Sequence, residues 1–180
     1  MAILKVLTAP DKILRQKALA VKSVDDNVRT MMYDMLETMH HGNGIGLAAN
    51  QVGILHRIIV IDIAHSDKEN RGADFYPLFM ANPVVSFQSD EKVLYPEGCL
   101  SVPEQQIEVY RPKHIIATYL DINNNQQTLE SSCLLARVIQ HEIDHLDGIM
   151  IIDYISKLKK DMIMKRLNKL KELSLLSKTV

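Results

Sequence analysis

The chain has little of what marks a secreted, membrane-embedded or nucleic-acid-coating protein. Its two cysteines, Cys99 and Cys133, are too few for a disulfide framework in 180 residues, so metal ligation or plain core packing is the better use for each. Lysine and arginine number 21 against 22 acidic residues, a formal net charge of -1. No global field therefore draws the chain to DNA or to a membrane surface. No stretch approaches the roughly 20 apolar residues of a membrane span. The opening MAILKVLTAPDKILRQK reaches Asp11 and Lys12 before any signal-peptide core can form. Repeats, low-complexity tracts and Pro/Gly/Ser linkers are also missing, so a single domain over residues 1–180 in a reducing, cytoplasmic compartment is the expectation.

Helical periodicity is present in three places. Asp25 and Asp26 can cap a helix whose Val28, Met31, Met32, Met35, Leu36 and Met39 recur on one face up to the turn at Gly42-Asn43-Gly44. The four methionines are most simply deformable core filler. A second helix is expected over roughly 132–147, capped by Ser131 or Ser132 and stopped by Gly148. A third follows Ser156 with Leu158, Met162, Ile163, Leu167, Leu170 and Leu173. From Ser156 to Val180 basic residues outnumber acidic ones by six. Such a run is usually a solvated face, and the alternative is a docking surface for something acidic such as ribosomal RNA. Strands are expected at Arg57–Asp62, at Leu78–Phe87 with a break at Asn82-Pro83, near Ile107–Tyr110, and at Ile115–Asp121 and Gln127–Glu130 around an Asn123-Asn124-Asn125 turn. Antiparallel strands beside segregated helices make an α+β fold.

The chemistry concentrates at His141-Glu142-Ile143-Asp144-His145. Histidines four apart share one helical face and can grip one metal ion, with Glu142 beside the open position. Chance would produce His-Glu-x-x-His in such a chain about one time in a hundred. Leu134, Val138, His141 and His145 form one stripe, and Leu135, Ile139, Glu142 and Leu146 the next, so both histidines and the carboxylate are expected to face inward. A catalytic site of this type needs a third ligand and leaves room for water. Cys133 would lie about 12 Å from His141 along the helix axis, which leaves Cys99 as the available thiol. Cys99 lies in Glu97-Gly98-Cys99-Leu100-Ser101. A lone cysteine in such a loop is more often a small buried hydrophobe. Gly44-Ile45-Gly46-Leu47-Ala48-Ala49-Asn50-Gln51 is compatible with close backbone approach to a ligand, or with no more than a tight turn that leaves Gln51 a surface amide.

Together GIGLAANQ at 44–51, EGCLS at 97–101 and QHEIDHLDG at 140–148 resemble, in order and separation, the three signatures of the peptide deformylases, and the resemblance covers essentially the whole chain. It implies mostly antiparallel sheets packed around a central helix carrying the His-Glu-x-x-His motif, with an N-terminal and a C-terminal helix. It implies one divalent metal ion held by Cys99, His141 and His145, natively Fe2+, with Zn2+, Ni2+ and Co2+ also compatible with the ligands. Glu142 would be the general base, and the Gln51 side chain and Leu100 N–H the oxyanion donors. The substrate implied is the N-formylmethionyl end of a nascent polypeptide, lying along Gly46 and Gly98, with Ile45, Tyr95, Leu134, Arg137 and Val138 around the methionine side chain. The basic C-terminal helix is similar to that of deformylases from Gram-negative cells and organelles.

Two other readings compete. A zincin-type endopeptidase shares His-Glu-x-x-His but needs a ligand downstream of the helix, where only Asp147, Asp153 and Asp161 precede Glu172. A catalytically silent ribosome-associated protein would instead use its basic helix, with Lys159, Lys160, Lys165, Arg166 and Lys169 as the contact residues.

Overall fold

A computed structural model describes residues 2–64 and 77–176, with side chains described through residue 173. Helix α1 (Asp26–His41) begins where Asp25 accepts a hydrogen bond from the Val28 N–H at 2.9 Å, which satisfies one of the orphan donors of the first turn. Met32, Met35 and Met39 are fully buried against Leu47, Ile58 and Val60, so the methionines do fill a core. The helix ends at Gly42, and the turn through Asn43, at φ 53°, delivers the chain to strand β1 (Gly46–Ala48).

A short 3-10 turn, Ala49–Val52, links β1 to β2 (Ile58–Ile61). Strand β2 is buried at all four positions, which is why its sequence is continuously apolar rather than alternating. Strand β3 (Leu78–Gln88) runs straight through the break expected at Asn82-Pro83. Asn82, at φ 51°, and Pro83 fall at a register shift between Ala81 and Val84, so the proline costs a bulge rather than the strand. Strands β4 (Lys92–Cys99), β5 (Val102–Pro112), β6 (His114–Leu120) and β7 (Gln126–Ser132) follow. All strand pairs are antiparallel, in a five-stranded sheet of order β1-β2-β3-β6-β7 and a two-stranded β4-β5 hairpin. The architecture is α+β, as the sequence pattern implies. Strand β4 is absent from that pattern: six of its eight residues are exposed, so it lacks the alternation that marks a half-buried strand.

Helix α2 (Cys133–Leu146) packs against strands of both sheets. Ser132 occupies its N-cap position without a side-chain bond, and the Cys133 N–H donates instead to the Lys113 carbonyl at 3.0 Å. At its other end Gly148 has φ 77°, and a Cβ there would stand 2.6 Å from the Arg15 carbonyl oxygen. Only glycine meets both demands, which is why the helix stops where the sequence signals it. Leu134 departs from the inward stripe: it is 45% exposed because it faces an open cavity, while Ala136, Val138 and Ile139 carry the packing.

Helix α3 (Lys157–Leu176) docks less fully than its apolar positions suggest. Leu167 is buried and Ile163 packs against the cluster formed by Val102, Ile107, Val109 and Ile152, but Leu158, Met162, Leu170 and Leu173 are exposed. No helix among the described residues is long and apolar enough to cross a membrane.

Candidate active site

The sharpest local constraint is helical: one turn of α2 brings His141, Glu142 and His145 to one side, all buried. Strand β4 ends against that side, and its last residue, Cys99, places Sγ 3.2 Å from His145 Nε2. Donor atoms of Cys99, His141 and His145 all lie within 4.8 Å of one another, the only such His/Cys/Asp/Glu group among the described residues. The expected third donor is therefore at the site, from 46 positions away in the chain, and Cys133 is exposed at the far end of α2.

A buried network that the motif reading does not include sets the histidine orientation. Glu97 accepts from His141 Nδ1 at 2.9 Å, from Arg111 at 2.7 and 3.0 Å, and from Arg137 at 2.7 Å. Burial opposes ionisation of its carboxyl, but the bonds from His141 and Arg111 hold it at about 2. An ionised carboxylate only accepts, so His141 Nδ1 donates to Glu97; although burial opposes its charge, the bonds to Cys99 and Glu97 hold His141 well above the ordinary histidine range, and a metal ion would take the place of its Nε2 proton. Burial, reinforced by the neighbouring His141 and Arg111 charges, holds His145 well below the ordinary histidine range, in the neutral form that binds metals. One thiol and two imidazoles at this spacing fit a divalent transition-metal ion. Arg111 continues the network to Asp144 at 2.8 Å, which also accepts from Tyr154 Oη at 2.7 Å. The signal for Glu97 was in the EGCLS stretch itself, but a glutamate beside a glycine does not announce what it will pair with.

Replacing Glu97 by Ala is expected to weaken metal binding about 10- to 100-fold, because His141 loses the group that fixes its tautomer. Leaving Arg111 buried without this partner should also destabilise the fold by about 3–5 kcal/mol. Metal titration and denaturant unfolding measure the two effects separately. Retention of full affinity would mean that the carboxylate supports the fold alone.

Gln51 is 2% exposed, not the surface amide that a simple turn would leave. Its Oε1 accepts from the Ala48 N–H at 2.8 Å, which directs Nε2 toward Ser101 Oγ at 3.2 Å and Cys99 Sγ at 3.6 Å. The amide is thus aimed as a donor toward Cys99, a member of the Cys-His-His group. Leu100, whose N–H is the other expected donor, is anchored by its side chain: a Cβ on Gly42 or Gly44 would meet its methyl groups at 3.2 and 3.0 Å.

These groups open onto a cavity of about 870 Å³. Ile45, Gly46, Gln51, Tyr95, Gly98, Cys99, Leu100, Leu134, Arg137, Val138, His141 and Glu142 all line it, and His145 lies behind them. Arg137 is committed elsewhere, since its guanidinium bonds Glu97 and the Val109 and Val93 carbonyls and lies 5.6 Å from the Tyr95 ring centre. The two glycines have different reasons. A Cβ on Gly46 would collide with Glu142 Oε1 and stand 2.8 Å from Val138 Cγ1, whereas one on Gly98 would meet nothing nearer than the Gln105 carbonyl at 4.0 Å. Burial lifts the Glu142 carboxyl to about 7, and its Oε2 is buried with no hydrogen-bond partner among the described residues.

Residues 3–161 match the sequence profile of the polypeptide deformylases. The chain belongs to that family. It is 54% identical to the peptide deformylase of Rickettsia canadensis (strain McKiel), over 95% of its own length and 98% of the relative's. The peptide deformylase of Orientia tsutsugamushi (strain Boryong) is 48% identical over 96% and 97%. Among solved structures, the fold is similar to the Ehrlichia chaffeensis peptide deformylase in complex with actinonin, at 40% identity and a TM-score of 0.87, covering 94% of this chain and 98% of that one. The deformylase likeness thus spans both sheets and the His-Glu-x-x-His helix.

Proposed function

We propose that the chain removes the N-formyl group from the N-terminal formylmethionine of nascent polypeptides and releases formate. The reading is carried by one juxtaposition: a Cys-His-His donor set, a buried carboxylate and an inward-aimed amide at the floor of a cavity bordered by an edge strand. A divalent ion held by Cys99, His141 and His145 would supply Lewis acidity, making a water acidic enough to be deprotonated near neutral pH. Glu142 takes that proton and later delivers it to the departing amine. Gln51 Nε2 and the Leu100 N–H donate to the oxygen that becomes negative as the formyl carbon is attacked.

Among the described residues strand β1 pairs only with β2, so its other edge would be open to an extended peptide. Main-chain pairing there, along Gly46 with Gly98 on the opposite wall, would accept any downstream sequence. Ile45, Leu134 and Val138 with Tyr95 and the stem of Arg137 surround the methionine side chain. An apolar pocket of this kind is worth about 2–3 kcal/mol, enough to favour Met over small residues and too little to reject Leu-like ones. Fe2+ is the native metal in this reading, and Cys99 makes the site sensitive to oxidation. The enzyme works as one domain over residues 1–180 in the cytoplasm, with α3 available to the ribosome. The endopeptidase reading lacks its ligand among the described residues: none of Asp147, Asp153 and Asp161 joins the group of His141 and His145, Asp147 being paired with Arg57 at 2.8 Å and Asp153 with Arg15 and Lys160.

Anaerobically prepared protein should release formate from formyl-Met-Ala-Ser and leave Met-Ala-Ser intact, with metal content measured on the same sample. Fully metallated protein that yields no formate would overturn the assignment, and cleavage of an unformylated internal bond would move it to the peptidases.

A further inference from the structure

The hairpin that carries Cys99 contains an irregularity at the cavity mouth. Glu97 pairs with Ile107 and Cys99 with Val102, so the single residue Gly98 on β4 stands opposite four residues of β5, Pro103–Gln106. All four line the cavity. Ladder pairing does not hold this bulge in place, and bulges of this kind re-aim side chains at site rims. Glu104, at its centre, has φ 60°, a backbone conformation that side-chain-bearing residues adopt rarely. Its carboxylate is paired with Arg166 of α3. Gln106 also lines a second, smaller cavity of about 370 Å³ whose far wall is Lys159, Met162 and Ile163 of α3. The bulge is therefore a thin partition with the catalytic cavity on one side and the C-terminal helix on the other.

We infer that Arg166 is a positioning residue: by holding Glu104 it sets the lip of the cavity against which the downstream part of a bound peptide lies. The inference rests on the deformylase reading of the cavity. The residues nearest the reacting atoms are fixed by α2, β1 and the Glu97 network, so a shift of the lip reaches only peptides long enough to touch it. The pair is exposed on both sides, 57% and 62% for the two side chains, so its effect is limited to what a surface ion pair can supply.

The test compares formyl-Met-Ala with formyl-Met-Ala-Ser-Ala-Ala on the metallated full-length enzyme. In Arg166→Ala the KM for the pentapeptide should rise roughly two- to fivefold relative to that for the dipeptide, with kcat for both changed by less than twofold. Arg166→Lys should restore most of the ratio. Glu104→Gln should produce the same change, with no further loss in the double variant. Lys169→Ala removes one charge from the same helix and should leave the ratio alone. An unaltered ratio in Arg166→Ala, an equal change in Lys169→Ala, or a fall in kcat on both peptides would each overturn the inference. Failure of the unsubstituted enzyme to deformylate either peptide would instead overturn the assigned activity, and the inference with it.

Discussion

Replacing Glu142 by Ala should reduce formate release by at least about 10²- to 10⁴-fold, the range that a positioned general base supplies, while the protein keeps its metal and its stability. Each clause has its own physical reason. Turnover falls because, among the described residues, the other carboxylates lining the cavity have committed partners: Glu97 is held by Arg111, Arg137 and His141, and Glu104 by Arg166. Metal is retained because Cys99, His141 and His145 form the donor group without Glu142. Stability is retained because Glu142 Oε2 is buried without a hydrogen bond among the described residues, and removing an unsatisfied buried polar atom relieves a cost of about 1–3 kcal/mol. That relief offsets the packing lost with the side chain. The combination is that of a residue kept for function at the expense of the fold. Parallel measurement of turnover, bound metal and thermal midpoint distinguishes the cases. Loss of metal in the variant would show Glu142 to be a ligand, and near-normal turnover would remove it from the proton path.

Gly46→Ala should cost about 10²-fold in kcat without removing any group that reacts. The added methyl would collide with Glu142 Oε1 and lie 3.0 Å from its Cδ and 2.8 Å from Val138 Cγ1. Strand β1 cannot retreat easily, since its three residues are paired with β2 and Leu47 and Ala48 are fully buried. The carboxylate must therefore move, and a displacement near 1 Å in a catalytic group can have that effect on rate. Gly98→Ala is the matched control. Its methyl would meet no atom within 4 Å except at the limit, and its φ is not in the left-handed region, so any effect should fall on KM through the peptide rather than on kcat. Equal kcat losses in the two variants would show that a methyl anywhere on the cavity wall is sufficient, and the close fit of Gly46 against Glu142 would lose its meaning.

The legible parts of this chain are those whose cause is local. The Asp25 cap and the methionine stripe of α1 were readable because capping and helical periodicity act over three or four residues. The arrangement of His141, Glu142 and His145 was readable for the same reason: one helical turn fixes their relative directions before any tertiary contact forms. The continuous apolar run of β2 and the glycine stop of α2 belong with them. Strand β4 was not legible, because an exposed hairpin arm carries no alternation, and the Asn82-Pro83 break dissolved into a bulge because pairing on either side outweighs one missing donor.

The sequence by itself determined the helix faces, the donor types of the metal group and the glycines that allow close approach, since each follows from covalent spacing and residue chemistry. Only the tertiary structure decided that Cys99 meets His145, that Gln51 is buried and aimed as a donor, that Leu134 sits at a rim, and that Glu97 orients His141. Those outcomes depend on sheet register and on which strand ends reach α2. They join residues some 40 to 50 positions apart, whose proximity no local periodicity can encode.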